Sequence, residues 1–141
     1  IGLPGDEIKI SKGSIIINGD KIFRKKIKDF IDNDNNVSSK RVRSYKEFFY
    51  DIEFDVLDLV DNGMADNTQI YKVPNNHFFV LGDNRDNSQD SRFLSSVGFI
   101  PFQNLVGKAQ FIFFSLENSR FLELWKWPNS IRFNRIFKKI K

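Results

Sequence analysis

Gly82-Asp83-Asn84-Arg85-Asp86-Asn87-Ser88-Gln89-Asp90-Ser91-Arg92 follows directly on Val73-Pro74-Asn75-Asn76-His77-Phe78-Phe79-Val80-Leu81. The earlier segment ends in an apolar run and reads as a short strand. The later one is polar or charged at every position except Gly82. A flexible linker has simpler, glycine-rich chemistry. A buried strand that delivers dense polar residues into a loop is a common way to build a site. Ser88, Asp90 and Arg92 stand at i, i+2 and i+4, so an extended backbone would point all three to one face. Turn chemistry is the competing reading, because Asp, Asn and Ser hydrogen-bond their own backbone in any well-made loop. A calcium loop is a third. Asp86, Ser88 and Asp90 fit its first three ligand positions, but Ser91 stands where it needs glycine and Val97 where it needs glutamate. The calcium reading fails, and the residues alone leave the other two open.

Outward from this block the chain reads as mainly β. Leu3-Pro4-Gly5-Asp6 has Pro and Gly at the two central positions of a type II turn. Ile8 and Ile10 alternate with polar neighbours, as in a half-buried strand. Residues 14–17 form the next strand, and Asn18-Gly19 supplies a type I′ hairpin that returns through Lys21 to Phe23. Residues 24–46 show no clean period, and Asp32-Asn33-Asp34-Asn35-Asn36 reads as a turn. Residues 45–60 are rich in aromatic and β-branched side chains and are expected as strands, closed by Asp61-Asn62-Gly63. Strands are also expected at 69–73, 77–81 and the apolar run 111–115. Helix is expected only within 117–126 or the tail, with Pro128 as a break. There is no internal repeat.

A chain of 141 residues is expected to be one domain with a small inserted lobe. Sixteen Phe against two Trp predict a phenylalanine-rich core. The absence of cysteine excludes disulfides and thiol chemistry. No run reaches the roughly 18 apolar residues of a spanning helix. The net charge of +4 is unevenly spread. Residues 21–46 are strongly basic, residues 47–66 hold acids and no base, and residues 125–141 hold bases and no acid. Nucleic acid is the sharp reading of the basic clusters, and a solvated face, or two oppositely charged segments that pair, is the plain one. In the tail, aromatic residues interleave with cations, which suits an anionic membrane surface. A plain surface helix and nucleic acid are the other readings of the tail, nucleic acid being the weakest. His77, the single histidine, stands beside two Phe and reads as structural.

The motif Val-Pro-x-x-x-x-Phe-Val-x-Gly-Asp-Asn-Arg-Asp-Asn-Ser-x-Asp-Ser-Arg at residues 73–92 resembles the most recognisable block of bacterial type I signal peptidases. Three more segments agree in order. These are Ile1-Gly2-Leu3-Pro4-Gly5-Asp6, Gly98-Phe99-Ile100-Pro101 with Asn104-Leu105-Val106-Gly107-Lys108-Ala109, and Trp127-Pro128 with Ile131-Arg132 and Arg135-Ile136. The resemblance implies antiparallel sheets of the signal-peptidase type. It places the catalytic core at residues 1–23 and 67–141, an inserted lobe at 24–66 and a short helical C-terminal segment. It implies a membrane-associated serine endopeptidase that removes signal peptides from secretory preproteins at the bacterial inner membrane, on its outer side. A non-catalytic peptide- or membrane-binding relative is the alternative.

In that family a serine in Ser-Met-x-Pro is the nucleophile. A lysine in a Lys-Arg pair just before the Gly-Leu-Pro-Gly-Asp segment is the general base. This sequence contains no Ser-Met-x-Pro, and Lys-Arg occurs only at Lys40-Arg41. A fragment lacking nucleophile, base and anchor, and inactive alone, is therefore expected. A lysine base must be desolvated to lose its proton near neutral pH, and it needs an uncharged partner to orient its amine. By resemblance Ser88 is that partner, and Asp90 and Arg92 form an ion pair that braces the loop. Gly82, Asp83, Asn84, Arg85, Asp86, Asn87 and Ser91 support the site. Trp125, Trp127, Phe133, Arg132 and Arg135 are the membrane-surface candidates. No cofactor, metal or nucleic acid is implied.

Overall fold

The computed structural model describes residues 1–32, 40–116 and 130–140. The helix expected within 117–126, both tryptophans, Pro128 and most of the turn expected at 32–36 lie outside the described residues. The chain forms two compact units, Ile1–Leu105 and Val106–Lys141.

The first unit opens as local chemistry dictates. Gly5 takes φ +89°, and the Asp6 amide donates to the Leu3 carbonyl at 3.0 Å, closing the turn. Strand β1 (Glu7–Ser11) buries Ile8 and Ile10 and exposes Glu7 and Lys9. It pairs with β2 (Ser14–Ile17), which turns through Asn18 (φ +52°) and Gly19 (φ +89°) into β3 (Asp20–Lys21). Both positive φ values are those the type I′ hairpin demands. Further along the chain, β8 (Tyr71–Lys72) completes an antiparallel sheet of order β3-β2-β1-β8.

The core of this unit is Ile8, Ile10, Ile15, Ile22, Tyr71, Val73 and Phe79. The phenylalanine-rich core is thus corrected: isoleucine fills the inward positions of β1 and β2. Phe23, Phe30, Phe54 and Phe102 instead expose substantial area among the described residues.

A second sheet joins β4 (Phe23–Lys26), β5 (Phe30–Asp32), β6 (Lys40–Phe49) and β7 (Ile52–Asp58), with β6 central. All its pairings are antiparallel. The missing period at 24–46 has a physical cause. On β6 Val42 and Ser44 are buried on one face and Glu47 on the other, and a polar residue at a buried position breaks the simple alternation that a half-buried strand shows. Both polar residues are satisfied: Ser44 Oγ accepts from the Phe30 amide at 3.1 Å, and Glu47 is paired with Arg85. Arg24 meets Asp58, Arg43 meets Asp61 just beyond β7, and Lys46 meets Glu53 and Asp55, so the basic and acidic blocks pair across this sheet and the turn that follows it.

The strand expected at 77–81 is short. β9 (His77–Phe78) pairs with β10 (Ile100–Pro101). Phe79 then exchanges two backbone bonds with Gly2, at 2.7 and 3.0 Å. Asn76 turns into this strand at φ +60°, a conformation that asparagine tolerates. His77 holds its ring Nδ1 2.8 Å from the Asn75 carbonyl oxygen, a local structural contact.

In the second unit the run 111–115 forms isolated bridges rather than a regular strand. Phe111 faces Lys139 and Leu116 faces Ile131. Phe111 and Phe113 are exposed. The described tail holds a 3₁₀ turn at Phe133–Arg135. No described helix is long and apolar enough to cross a membrane.

Candidate active site

The polar block leaves the core at Phe79 and is zipped shut at its base. The Ser91 amide donates to the Val80 carbonyl at 3.1 Å, and the Val80 amide donates to Ser91 Oγ at 2.9 Å. Ser91 is fully buried. The Tyr71 hydroxyl donates to the Arg92 carbonyl at 2.9 Å, tying the exit of the loop to β8. Between these ends lies a 3₁₀ turn, Arg85–Asn87, closed by the Asn87 amide on the Asn84 carbonyl.

Asp90 and Arg92 form the ion pair that the family resemblance implies. Arg92 donates from Nε to Asp90 Oδ1 at 2.8 Å and from Nη2 to Asp90 Oδ2 at 2.9 Å. Both side chains are buried. Asp90 also accepts from the Gly82 amide at 3.0 Å. Arg92 Nη2 reaches back to the Arg85 carbonyl. A two-pronged, charge-assisted pair of this kind fixes geometry as well as charge.

The expected extended run through Ser88 holds only in part. Ser88 itself is extended (φ −100°, ψ 126°), but it follows the 3₁₀ turn. Ser88 and Asp90 nevertheless converge on one residue, Gly82. A Cβ built on Gly82 would stand 2.0 Å from Ser88 Oγ and 2.4 Å from Ser88 Cβ. Glycine is required there because the serine side chain already fills the place. The Ser88 hydroxyl donates to the Asn84 carbonyl at 2.7 Å. Gly82→Ala is expected to cost about 1–3 kcal/mol as overpacking. It should also drive Ser88 off the Asn84 carbonyl. Denaturant unfolding together with the amide shifts of Ser88 and Asn84 checks this, and an unchanged Ser88 environment would refute it.

The remaining block residues dock the loop on the second sheet. The Leu57 amide donates to the Asp83 carbonyl at 2.8 Å, and Asn84 bridges to Leu57. Asp86 Oδ2 accepts from the amides of Leu59 and Val60 at 2.7 and 2.9 Å. Asp83 and Asn87 themselves are exposed.

Sequence reasoning missed the partner of Arg85. Arg85 is buried against Glu47 of β6, which accepts from Nη1 at 2.8 Å and also from Nη2. Arg85 Nε donates to the Gly82 carbonyl at 3.2 Å. Arg24 lies beside this pair, 3.9 Å from Glu47, with its guanidinium 3.7 Å from the centre of the Tyr45 ring. The basic and acidic charge blocks signalled a partner for Arg24, but Arg85 lies outside both, so its pairing with Glu47 had no signal in the sequence.

One group of described residues could hold a cation. Asp58, Asp66 and Asp86 bring a carboxylate oxygen each within 4.8 Å of one another. Arg24 already supplies positive charge at Asp58. Burial pushes the Asp66 carboxyl above its ordinary pKa; the Gly63 amide opposes this, and the charges of Asp58 and Asp86 add to it. The cavity that reaches Arg85 is about 90 Å³ and is walled by Ile1, Phe49, Phe54, Phe79 and Leu81.

The family model for signal peptidase, peptidase S26, matches residues 1–114. The chain belongs to this family. Signal peptidase I of Rickettsia typhi is 37% identical, the match covering 99% of this chain and 57% of the relative. Signal peptidase I of Rickettsia bellii is also 37% identical, covering 99% of this chain and 52% of the relative. That of Rickettsia canadensis is 34% identical, with 99% and 57% covered. The chain therefore spans about half the length of the curated relatives it matches. Within this signal peptidase family chain, the match contains the whole loop from Gly82 to Arg92 together with Glu47 and Arg24.

Proposed function

We propose that this chain is the part of a serine–lysine signal peptidase that orients the base, the nucleophile and lysine being supplied by sequence outside it. The bond from Ser88 to Asn84 carries the reading. A carbonyl oxygen only accepts, so the Ser88 proton is committed to Asn84, and the lone pairs of Oγ remain free to accept. An uncharged acceptor is what a neutral lysine amine needs. Its N–H would point at Ser88, turning the nitrogen lone pair toward a nucleophilic hydroxyl. A carboxylate in the same place would favour the ammonium and disable the base. Asp90, Arg92 and Gly82 hold Ser88 there without facing the amine with charge.

In this reading the substrates are the signal peptides of secretory preproteins, and the reaction is acyl transfer followed by hydrolysis. Residues 24–66 are the inserted lobe, and the core is the remainder. The protein works at the bacterial inner membrane, with this region on the outer side. Among the described tail residues, exposed Phe133 and Phe137 beside Arg135, Lys138 and Lys139 support contact with an anionic lipid surface.

The test is cleavage of a preprotein in detergent micelles. The full reading frame containing this chain is expected to cut at a single site after the signal peptide, and residues 1–141 alone to cut nothing. Cleavage by residues 1–141 alone, or none by the full frame, would overturn the reading.

A further inference from the structure

We infer that Glu47, on the second sheet, is a positioning residue for Ser88, acting through the guanidinium of Arg85 on the backbone of Gly82. The inference rests on the function proposed above. Glu47 is 1% exposed, and a buried carboxylate needs a partner of opposite charge. It grips both terminal nitrogens of Arg85. A carboxylate held in this fork fixes the plane of the guanidinium, which a single contact would not do. With that plane fixed, Nε has one direction left, and it points at the Gly82 carbonyl.

Gly82 is the residue against which Ser88 packs so closely that no Cβ fits. Its amide is held by Asp90 and its carbonyl by Arg85, so the peptide units on both sides of Gly82 are pinned from different directions. The Asp90 restraint comes from within the loop. The Arg85 restraint leads out of it, to β6. Among the described residues Glu47 is the only carboxylate in ion-pair contact with Arg85. Arg85 also gives its own carbonyl to Arg92, so movement of Arg85 disturbs the second brace as well. The second sheet thereby takes part in setting the position of Ser88 through Glu47 and Arg85.

Catalysis is sensitive to this route. A displacement of about 1 Å at a group that orients a reacting atom costs on the order of 100-fold in rate, while substrate binding is left alone. In the full reading frame, Glu47→Gln is expected to lower kcat by about 10-fold or more, with KM within about twofold. Glutamine keeps the shape and one acceptor but loses the charge and the second prong. Amide exchange within residues 82–92 should accelerate.

A paired variant, Glu47→Leu with Arg85→Met, guards against simple unfolding. Replacing a buried ion pair by apolar residues of similar volume often leaves stability unchanged or improved. This variant should melt near wild type and still show the lowered kcat, because the clasp on Gly82 is gone. Normal kcat in Glu47→Gln, with wild type active, would overturn the role of Glu47 whatever the paired variant does. An inactive wild-type full frame would overturn the proposed function and this inference with it.

Discussion

Replacing Ser88 by alanine in the full reading frame is expected to lower kcat by about 100-fold or more and to leave KM nearly unchanged. General-base catalysis contributes roughly 10²- to 10⁴-fold, and a base whose lone pair is misdirected forfeits much of that. The change is a small one for the fold. The hydroxyl makes one bond, to the Asn84 carbonyl, and Ser88 is partly exposed, so water can replace it. The stability cost should be about 1 kcal/mol or less. Alanine adds no atom beside Gly82. A large loss of rate in a protein that melts normally separates orientation from structure. Steady-state cleavage of a preprotein, with thermal melts on the same samples, measures both quantities. Turnover within about threefold of wild type would remove Ser88 from the machinery.

What the sequence made legible and what it hid divide by distance along the chain. The type II turn at Leu3-Pro4-Gly5-Asp6 and the hairpin at Asn18-Gly19 are dictated by residues in contact with their neighbours, and both form as read. The pairing of Asp90 with Arg92 was implied by the family resemblance, and it too is local, the two being two residues apart. Arg85 and Glu47 are 38 residues apart, and Arg24 and Asp58 are 34 apart. No spacing rule reaches across such separations. Blocks of opposite charge raise the expectation of pairing without selecting partners, because any of several acids could serve each base.

The same distance hid the second sheet. β6 buries Ser44 on one face and Glu47 on the other, so neither face reads as apolar. The buried glutamate that blurs the strand pattern is the residue that holds Arg85. The signal was lost where the strand gave up a hydrophobic position to serve the loop. The overcount of phenylalanine in the core has a related cause. Composition counts a residue type without its address, and Phe23, Phe30 and Phe54 fall on positions that leave them open.

Asp90→Ala should be the most destabilising single change in the loop, at about 3–5 kcal/mol, the usual cost of stripping a buried charge of its partner. Arg92 would keep a guanidinium that is 2% exposed, with both of its side-chain bonds to Asp90 gone. The Gly82 amide would lose its acceptor at the same time. A fold of this size is worth roughly 5–15 kcal/mol in total, so the loss takes a large share of it. Asp90→Asn gives the sharper comparison. Its amide oxygen can still accept from Arg92 or from Gly82, so the geometry is partly kept while the charge is lost, and about half the penalty is expected. Urea unfolding of both variants, each paired with Arg92→Met, isolates the coupling between the two side chains. If Asp90→Ala costs under about 1 kcal/mol, the pair is no better than a surface ion pair, and the brace assigned to it fails. A coupling above about 2 kcal/mol would mean that the loop carrying Ser88 holds its shape chiefly through this pair.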